Sequence, residues 1–176
     1  MSDTIRSDEV GFGALRSSFG KIVEAVRKAC LECYGSRLSA LAVFGSVGRG
    51  TPRPDSDLDL LLVADGLPDG RLRRVEEFAA VESLVEPVVD DARNQGVHTR
   101  LSPVFKTPEE LRHGSPLFLD LVDDAVVLVD RDGALRGQLE HLRGRLRELG
   151  ARRVWSGDAW YWDLKPDYRV GEVFEL

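Results

Sequence analysis

The chain has 176 residues, 43% hydrophobic and 31% charged, the length and balance of one globular domain with a sizeable core. Its net charge of −6 argues against long nucleic acid as the main partner, since proteins built for that task present a basic face. No apolar run is long enough to cross a membrane, and the polar, acidic start "MSDTIRSDEVGFG" does not read as a secretion signal, so a cytoplasmic location is expected.

In chain order, residues 1–12 read as a flexible N-terminus. From 13 to 33, Leu15, Phe19, Ile22, Val23, Val26, Ala29, Cys30 and Cys33 recur at helical spacing, and Gly35 stops the pattern. "LSALAVFG" (38–45) reads as a buried strand, "SVGRG" as a short helix or phosphate-holding turn, and "TPRPDS" as an irregular connection. "DLDLLLVA" (57–64) is a second strand whose apolar residues on both faces call for cover on both sides. Residues 71–93 predict a helix bent or ended near Pro87, and 96–107 a strand that Pro103 confines to an edge or a bulge. Thr107, Pro108 and Glu110 spell a capped helix start, followed by a short helix from 116 and the apolar strand "AVVLV". In 134–149, Leu135, Leu139, Leu142, Leu146 and Leu149 form one stripe, flanked by Arg136, Arg143 and Arg147 as a solvated basic edge. The tail carries Trp155, Trp160, Tyr161 and Trp162 close together and is expected to dock, giving a nucleus at 13–131 with an appended helix and tail at 132–176.

The two cysteines, in "CLEC", lie inside the first helical pattern. Zinc needs further ligands, and His98, His113 and His141 are scattered, so Cys30 and Cys33 read as small buried hydrophobes.

The chemistry concentrates in "VFGSVGRGTPRPDSDLDLLLV" (43–63). The Walker-type loop is absent because no Lys follows the glycines, Gly45, Gly48 and Gly50 lack the dinucleotide-binding spacing, and a calcium loop starting at Asp55 lacks its Gly and Glu. What remains is a strand, a Gly-Ser turn and two aspartates on the next strand. Gly45 lets backbone approach a phosphate, with the Ser46 hydroxyl as an added donor. Asp57 and Asp59, two apart on a strand, project to one side, where like charges call for a cation such as Mg²⁺ held together with phosphate oxygens. Phosphate beside a metal pair is the equipment of nucleotidyl transfer. Taken separately, each piece is an ordinary surface turn or strand start; their order makes one site.

"GSVGRG" followed by "SDLDLLL" resembles the signature of the polymerase-beta-like nucleotidyltransferase superfamily, in its minimal, kanamycin-nucleotidyltransferase-like branch, over about residues 13–130. The resemblance implies an α/β two-layer fold: a short mixed sheet with helices packed on one side, plus the C-terminal helix and aromatic-rich tail. It implies that Gly45 and Ser46 hold a nucleoside triphosphate, ATP in the first instance, that Asp57 and Asp59 bind Mg²⁺ (or Mn²⁺) and carry the catalysis, and that Arg49 sits near the phosphates or braces the loop. The family's third carboxylate falls on the next strand, "VHTRLSPVFKT", which has no acid; Ser102 occupies the slot, with Asp163 and Glu172 of the tail as substitutes. Three functions follow from the resemblance. One is transfer of AMP or another nucleotidyl group to a hydroxyl. Another is an antitoxin-like partner of a small helical HEPN-type toxin, and the last a nucleotide-binding regulator without chemistry. A homodimer through the exposed aromatics is the other association expected.

Overall fold

A computed structural model describes the backbone of residues 3–157 and 159–176 and the side chains of 15–157 and 160–176. The N-terminal helix α1 spans Asp3–Tyr34, so the stretch expected to be an irregular end is helical from Asp3. Extending an existing helix costs far less than nucleating one, so the helix of 13–33 continues back through this polar stretch.

Four strands follow: β1 (Leu38–Phe44), β2 (Leu58–Ala64), β3 (Leu101–Lys106) and β4 (Val126–Asp130). They form one mixed sheet in the order β3-β2-β1-β4. β1 pairs antiparallel with both β2 and β4, while β2 and β3 are parallel. The parallel pair is joined by α3 (Arg71–Asn94), as a parallel connection requires a crossover. Between β1 and β2 lies α2, a single helical turn at Gly45–Gly48. After β3 come α4 (Pro108–Arg112) and α5 (Phe118–Asp124), and after β4 comes α6 (Ala134–Glu148). The mixed α/β architecture is the one expected.

Helices cover both faces of the sheet rather than one, which corrects the one-sided packing expected from the resemblance. Leu41, Val43, Leu58, Leu60 and Leu62 face α1 and α3, where Phe19, Ile22, Val26, Phe78 and Val81 meet them. Ala40, Ala42, Phe44, Leu61 and Val63 face the other way, onto Leu111, Phe118, Leu121 and the leucine stripe of α6. The physical reason was visible in β2: five consecutive residues, Leu60–Ala64, are fully buried, and strand residues alternate between faces. Each leucine so covered stabilises the fold by about 1.5–3 kcal/mol.

Pro103 sits on β3, an edge strand as anticipated, because an interior strand could not spare its N–H. Pro87 does not end α3, which runs through it to Asn94. The two cysteines are free; burial pushes the Cys30 thiol up to about 12, in keeping with an inert core residue. The tail, expected to dock, does so as a hairpin of β5 (Arg152–Ser156) with β6 (Ala159–Asp163). Trp162 and Leu164 pack on the core beneath α5 and α6, and the Trp162 indole N–H donates to the Leu119 carbonyl at 3.1 Å.

α4 starts with the expected capping box, in which Thr107 accepts from the Glu110 amide and Glu110 accepts from the Thr107 amide. Glu110 also takes a two-pronged bond from Arg74 of α3, at 2.8 and 2.9 Å. The Arg74 guanidinium and, after it, the Thr107 amide hold the Glu110 carboxyl at about 2, below the usual glutamate range. A depressed carboxylate contributes stability that is complete above its unfolded value of about 4.3 and is lost as pH falls toward about 2. Urea unfolding across that window is therefore expected to show wild-type stability falling with acid, and Glu110→Gln falling less steeply from a lower plateau at neutral pH.

Candidate active site

The site lies where β1 ends and β2 begins. In the antiparallel register Phe44 stands opposite Asp59, so the residue after the β1 terminus, Gly45, turns directly over that carboxylate. Gly45 has φ +66°, a conformation that favours glycine, and a Cβ there would overlap the Asp59 carboxylate oxygen. Gly48 closes the same turn against α5, where a Cβ would collide with the Asp124 carbonyl. Two glycines thus let the turn lie between a β2 carboxylate on one side and the end of α5 on the other. Thr51 N–H to the Ser46 carbonyl (2.9 Å) and Gly50 N–H to the Val47 carbonyl (3.0 Å) tie its exit. The leading amides of a helical turn have no intrahelical acceptor, which suits them to an anion.

Asp59 is on the sheet face of Leu61 and Val63, emerging beyond the cover of α5, and Asp57, outside the strand proper, flanks it across the buried Leu58. Burial raises the Asp59 carboxyl above the usual range, and repulsion from Asp57 and Asp120 adds to this; a hydrogen bond from Ser102 and the charge of Arg49 act against it. Asp57 is more exposed and faces Arg100, whose Nε lies 3.7 Å from its Oδ1. Among the described residues no three His, Cys, Asp or Glu side chains gather closely enough to hold a metal ion by themselves.

Ser102 pairs with Asp59 in the parallel register, so the slot that is acidic in the resembled family here holds a hydroxyl on the same carboxylate. Neither suggested substitute fills it: Asp163 bonds Arg152 across the hairpin, and Glu172 pairs with Lys165 and the Arg169 amide. Besides Asp57, the acid whose charge reaches Asp59 is Asp120 of α5. Burial and the neighbouring Asp124 raise its carboxyl, with Arg153 and Arg49 opposing. Arg49 extends to Asp124, donating from Nη1 to Oδ2 at 2.5 Å, so in this structure it braces the turn against α5.

Asp120, Asp124 and Arg153 were not read from the sequence. The spacing of Asp120 and Asp124, four apart in "LDLVDD", was the available signal, since such residues share a helix face. "VWSGDAWYW" likewise carries the alternation and Gly-Asp turn of a hairpin.

Residues 23–113 match the sequence model of the nucleotidyltransferase domain family, just over half of the chain. The chain belongs to this family. The matched span contains α2, both glycines of the turn, Arg49, Asp57, Asp59 and Ser102, whereas Asp120, Asp124 and Arg153 lie outside it. This nucleotidyltransferase is 26% identical over 130 residues to an inferred protein adenylyltransferase of Methanocaldococcus jannaschii, covering 73% of this chain and 83% of the relative. One chain of a toxin–antitoxin structure with AMP-PNP is 17% identical to it, covering 77% of this chain and 92% of that one with a TM-score of 0.41. The MntA–HepT toxin–antitoxin pair is 15% identical, covering 76% and 91% with a TM-score of 0.39. No described helix of the nucleotidyltransferase is long and apolar enough to cross a membrane.

The Gly45 contact generates a direct test. Gly45→Ala is expected to displace the Asp59 carboxylate and cut nucleotidyl transfer on the order of a hundredfold, while far-UV circular dichroism stays that of the wild type; unchanged transfer would show that the contact does not matter.

Proposed function

We propose that the chain transfers AMP from ATP to a hydroxyl on a protein, with Mg²⁺ held between Asp57, Asp59 and the triphosphate. The observation that carries this reading is the close approach of Gly45 to the half-buried Asp59 carboxylate, which Asp57 flanks and Asp57 and Asp120 repel, against the Ser102 hydroxyl and the charge of Arg49. Such an excess of negative charge in a partly desolvated place fits a divalent cation, and one or two carboxylates suffice for Mg²⁺ when phosphate oxygens complete the shell. Mg²⁺ (or Mn²⁺) would neutralise charge on the triphosphate and lower the acidity barrier of an attacking hydroxyl.

The chain's own residues do the rest. Gly45 and Ser46 present backbone amides and a hydroxyl to the phosphates, and Arg49 keeps the turn seated on α5. The acceptor oxygen attacks the α-phosphorus, the bond from that phosphorus to the bridging oxygen breaks, and pyrophosphate leaves. The acceptor proton passes to Asp120, in the role that the missing β3 acid would otherwise take; its raised carboxyl, coupled to Asp59, supports this assignment. A protein acceptor is favoured by the relative named as a protein adenylyltransferase. A small helical HEPN-type toxin, the partner in one alternative that the resemblance implies, would be one such acceptor.

With α-labelled ATP and Mg²⁺, label is expected to appear on a protein acceptor and not when the label is on the γ-phosphate. Asp57→Asn and Asp59→Asn should each reduce labelling about a thousandfold, several kcal/mol of transition-state stabilisation. Absence of ATP binding by calorimetry in the wild type would remove the proposal. For Asp120→Asn the expectation is a loss of roughly a hundredfold in kcat with ATP affinity retained; full kcat in that variant would take Asp120 out of the mechanism.

A further inference from the structure

Asp124 is the most deeply buried carboxylate described near the site, its side chain only 3% exposed. It stands at the C-terminal end of α5, where the helix dipole disfavours negative charge. Two guanidiniums compensate it, one on each oxygen: Arg49 from the nucleotide turn at 2.5 Å on Oδ2, and Arg153 from the hairpin at 3.1 Å on Oδ1. Arg153 is held in turn by two indoles, its guanidinium lying 4.1 Å from the Trp160 ring centre and 5.5 Å from that of Trp162. Trp162 itself is bonded to the Leu119 carbonyl, at the other end of α5.

Anchoring a hairpin needs no buried arginine, because the apolar contacts of Trp162 and Leu164 already do that. Among the described residues, the Nε and Nη2 of Arg153 are buried without hydrogen-bond partners, with Nη2 standing 3.7 Å from an Asp123 oxygen. Burying those groups is costly. What the arginine gains for this cost is the Asp124 oxygen that Arg49 leaves free. The carboxylate is therefore a shared joint: its rotation about the side chain moves both arginines, and Arg49 lies at the end of the turn that Gly48 packs against the Asp124 carbonyl.

We infer that Arg153 is a positioning residue for the nucleotide, and that the C-terminal hairpin sets the shape of the Gly45–Arg49 turn through the chain Trp160/Trp162, Arg153, Asp124, Arg49. The inference rests on the nucleotide reading only for its ligand; the joint itself is independent of it. Removing the Arg153 charge leaves Asp124 half-compensated and free to reorient toward Arg49, which shifts the turn and weakens nucleotide binding. The hairpin thereby becomes part of the nucleotide site although it lies outside the matched family region.

The test uses the full chain, with Arg153→Met to keep the stem while removing the charge, Arg153→Lys to restore charge without the stacked plane, and Arg49→Met. Calorimetric titration with ATP and Mg²⁺ is expected to show affinity reduced roughly tenfold in Arg153→Met and partly rescued in Arg153→Lys. The double variant Arg49→Met/Arg153→Met should lose little more than Arg49→Met alone, since both act through Asp124. Hydrogen–deuterium exchange without nucleotide should quicken at the amides of Gly50 and Thr51 in Arg153→Met, with the α3 amides unchanged. Should Arg153→Met not fold, Trp160→Leu, which loosens the stack alone, is expected to give the same exchange pattern in milder form. Additive losses in the double variant, or exchange quickened only in β5 and β6, would reduce Arg153 to a structural anchor and overturn the inference. A wild type that fails to bind ATP, together with faster exchange at Gly50 and Thr51 in Arg153→Met, upholds the joint and sinks the nucleotide reading.

Discussion

Between the last residue of β1 and the first turn of α2, the chain passes over the Asp59 carboxylate with no room for a Cβ. The antiparallel register places Phe44 opposite Asp59, and the positive φ of Gly45 bends the backbone across it. This one close approach brings a turn with unspent amides to within reach of a carboxylate on the neighbouring strand. It also adds to the burial that raises the Asp59 carboxyl above the usual range; Asp57 is more exposed and lies toward Arg100. The remainder of the fold serves the contact. Apolar cover on both faces of β2 fixes the strand, and Gly48 lets α5 press the turn from the far side.

Charge is then distributed around the contact in an alternating series. Asp57, Asp59 and Asp120 supply an excess of negative potential, and Arg49 and Arg153 meet on Asp124 just behind it. A carboxylate as buried as Asp124 would be destabilising alone; paired on both oxygens it becomes a rigid link between the turn, α5 and the hairpin. The arginine expected either at the phosphates or as a brace is, in this structure, a brace. The same geometry ties a segment beyond the family's common region into the part that defines the family.

Legibility in the sequence followed the range of the interactions. The leucine stripe of α6, the Thr107–Glu110 capping box and the edge position of Pro103 are each settled within a few residues, and each was legible. "GSVGRG" and "SDLDLLL" were legible as one site because the turn and strand that carry them are neighbours in sequence as well as in space. The third carboxylate was not. Its expected place on β3 is Ser102, and the further acid whose charge reaches Asp59 stands on α5, some sixty residues beyond Asp59 in the chain, brought near by helix packing that no local pattern encodes. The joint at Asp124 was hidden for the same reason, since it unites residues of three separate segments.

By itself, then, the sequence determined the mixed α/β class, the order of the elements from β1 to α6 and the adjacency of the turn and the two aspartates, because period, glycine placement and strand alternation are local properties. Helix cover on both faces was implicit in the apolar run of β2, yet which helix goes to which face depends on the whole assembly. Only the tertiary structure decided that Arg49 turns toward Asp124, that the charge of Asp120 reaches Asp59, and that a C-terminal hairpin closes the chain of contacts. Those choices rest on distances between elements remote in sequence, and such distances exist only once both layers have packed against the sheet.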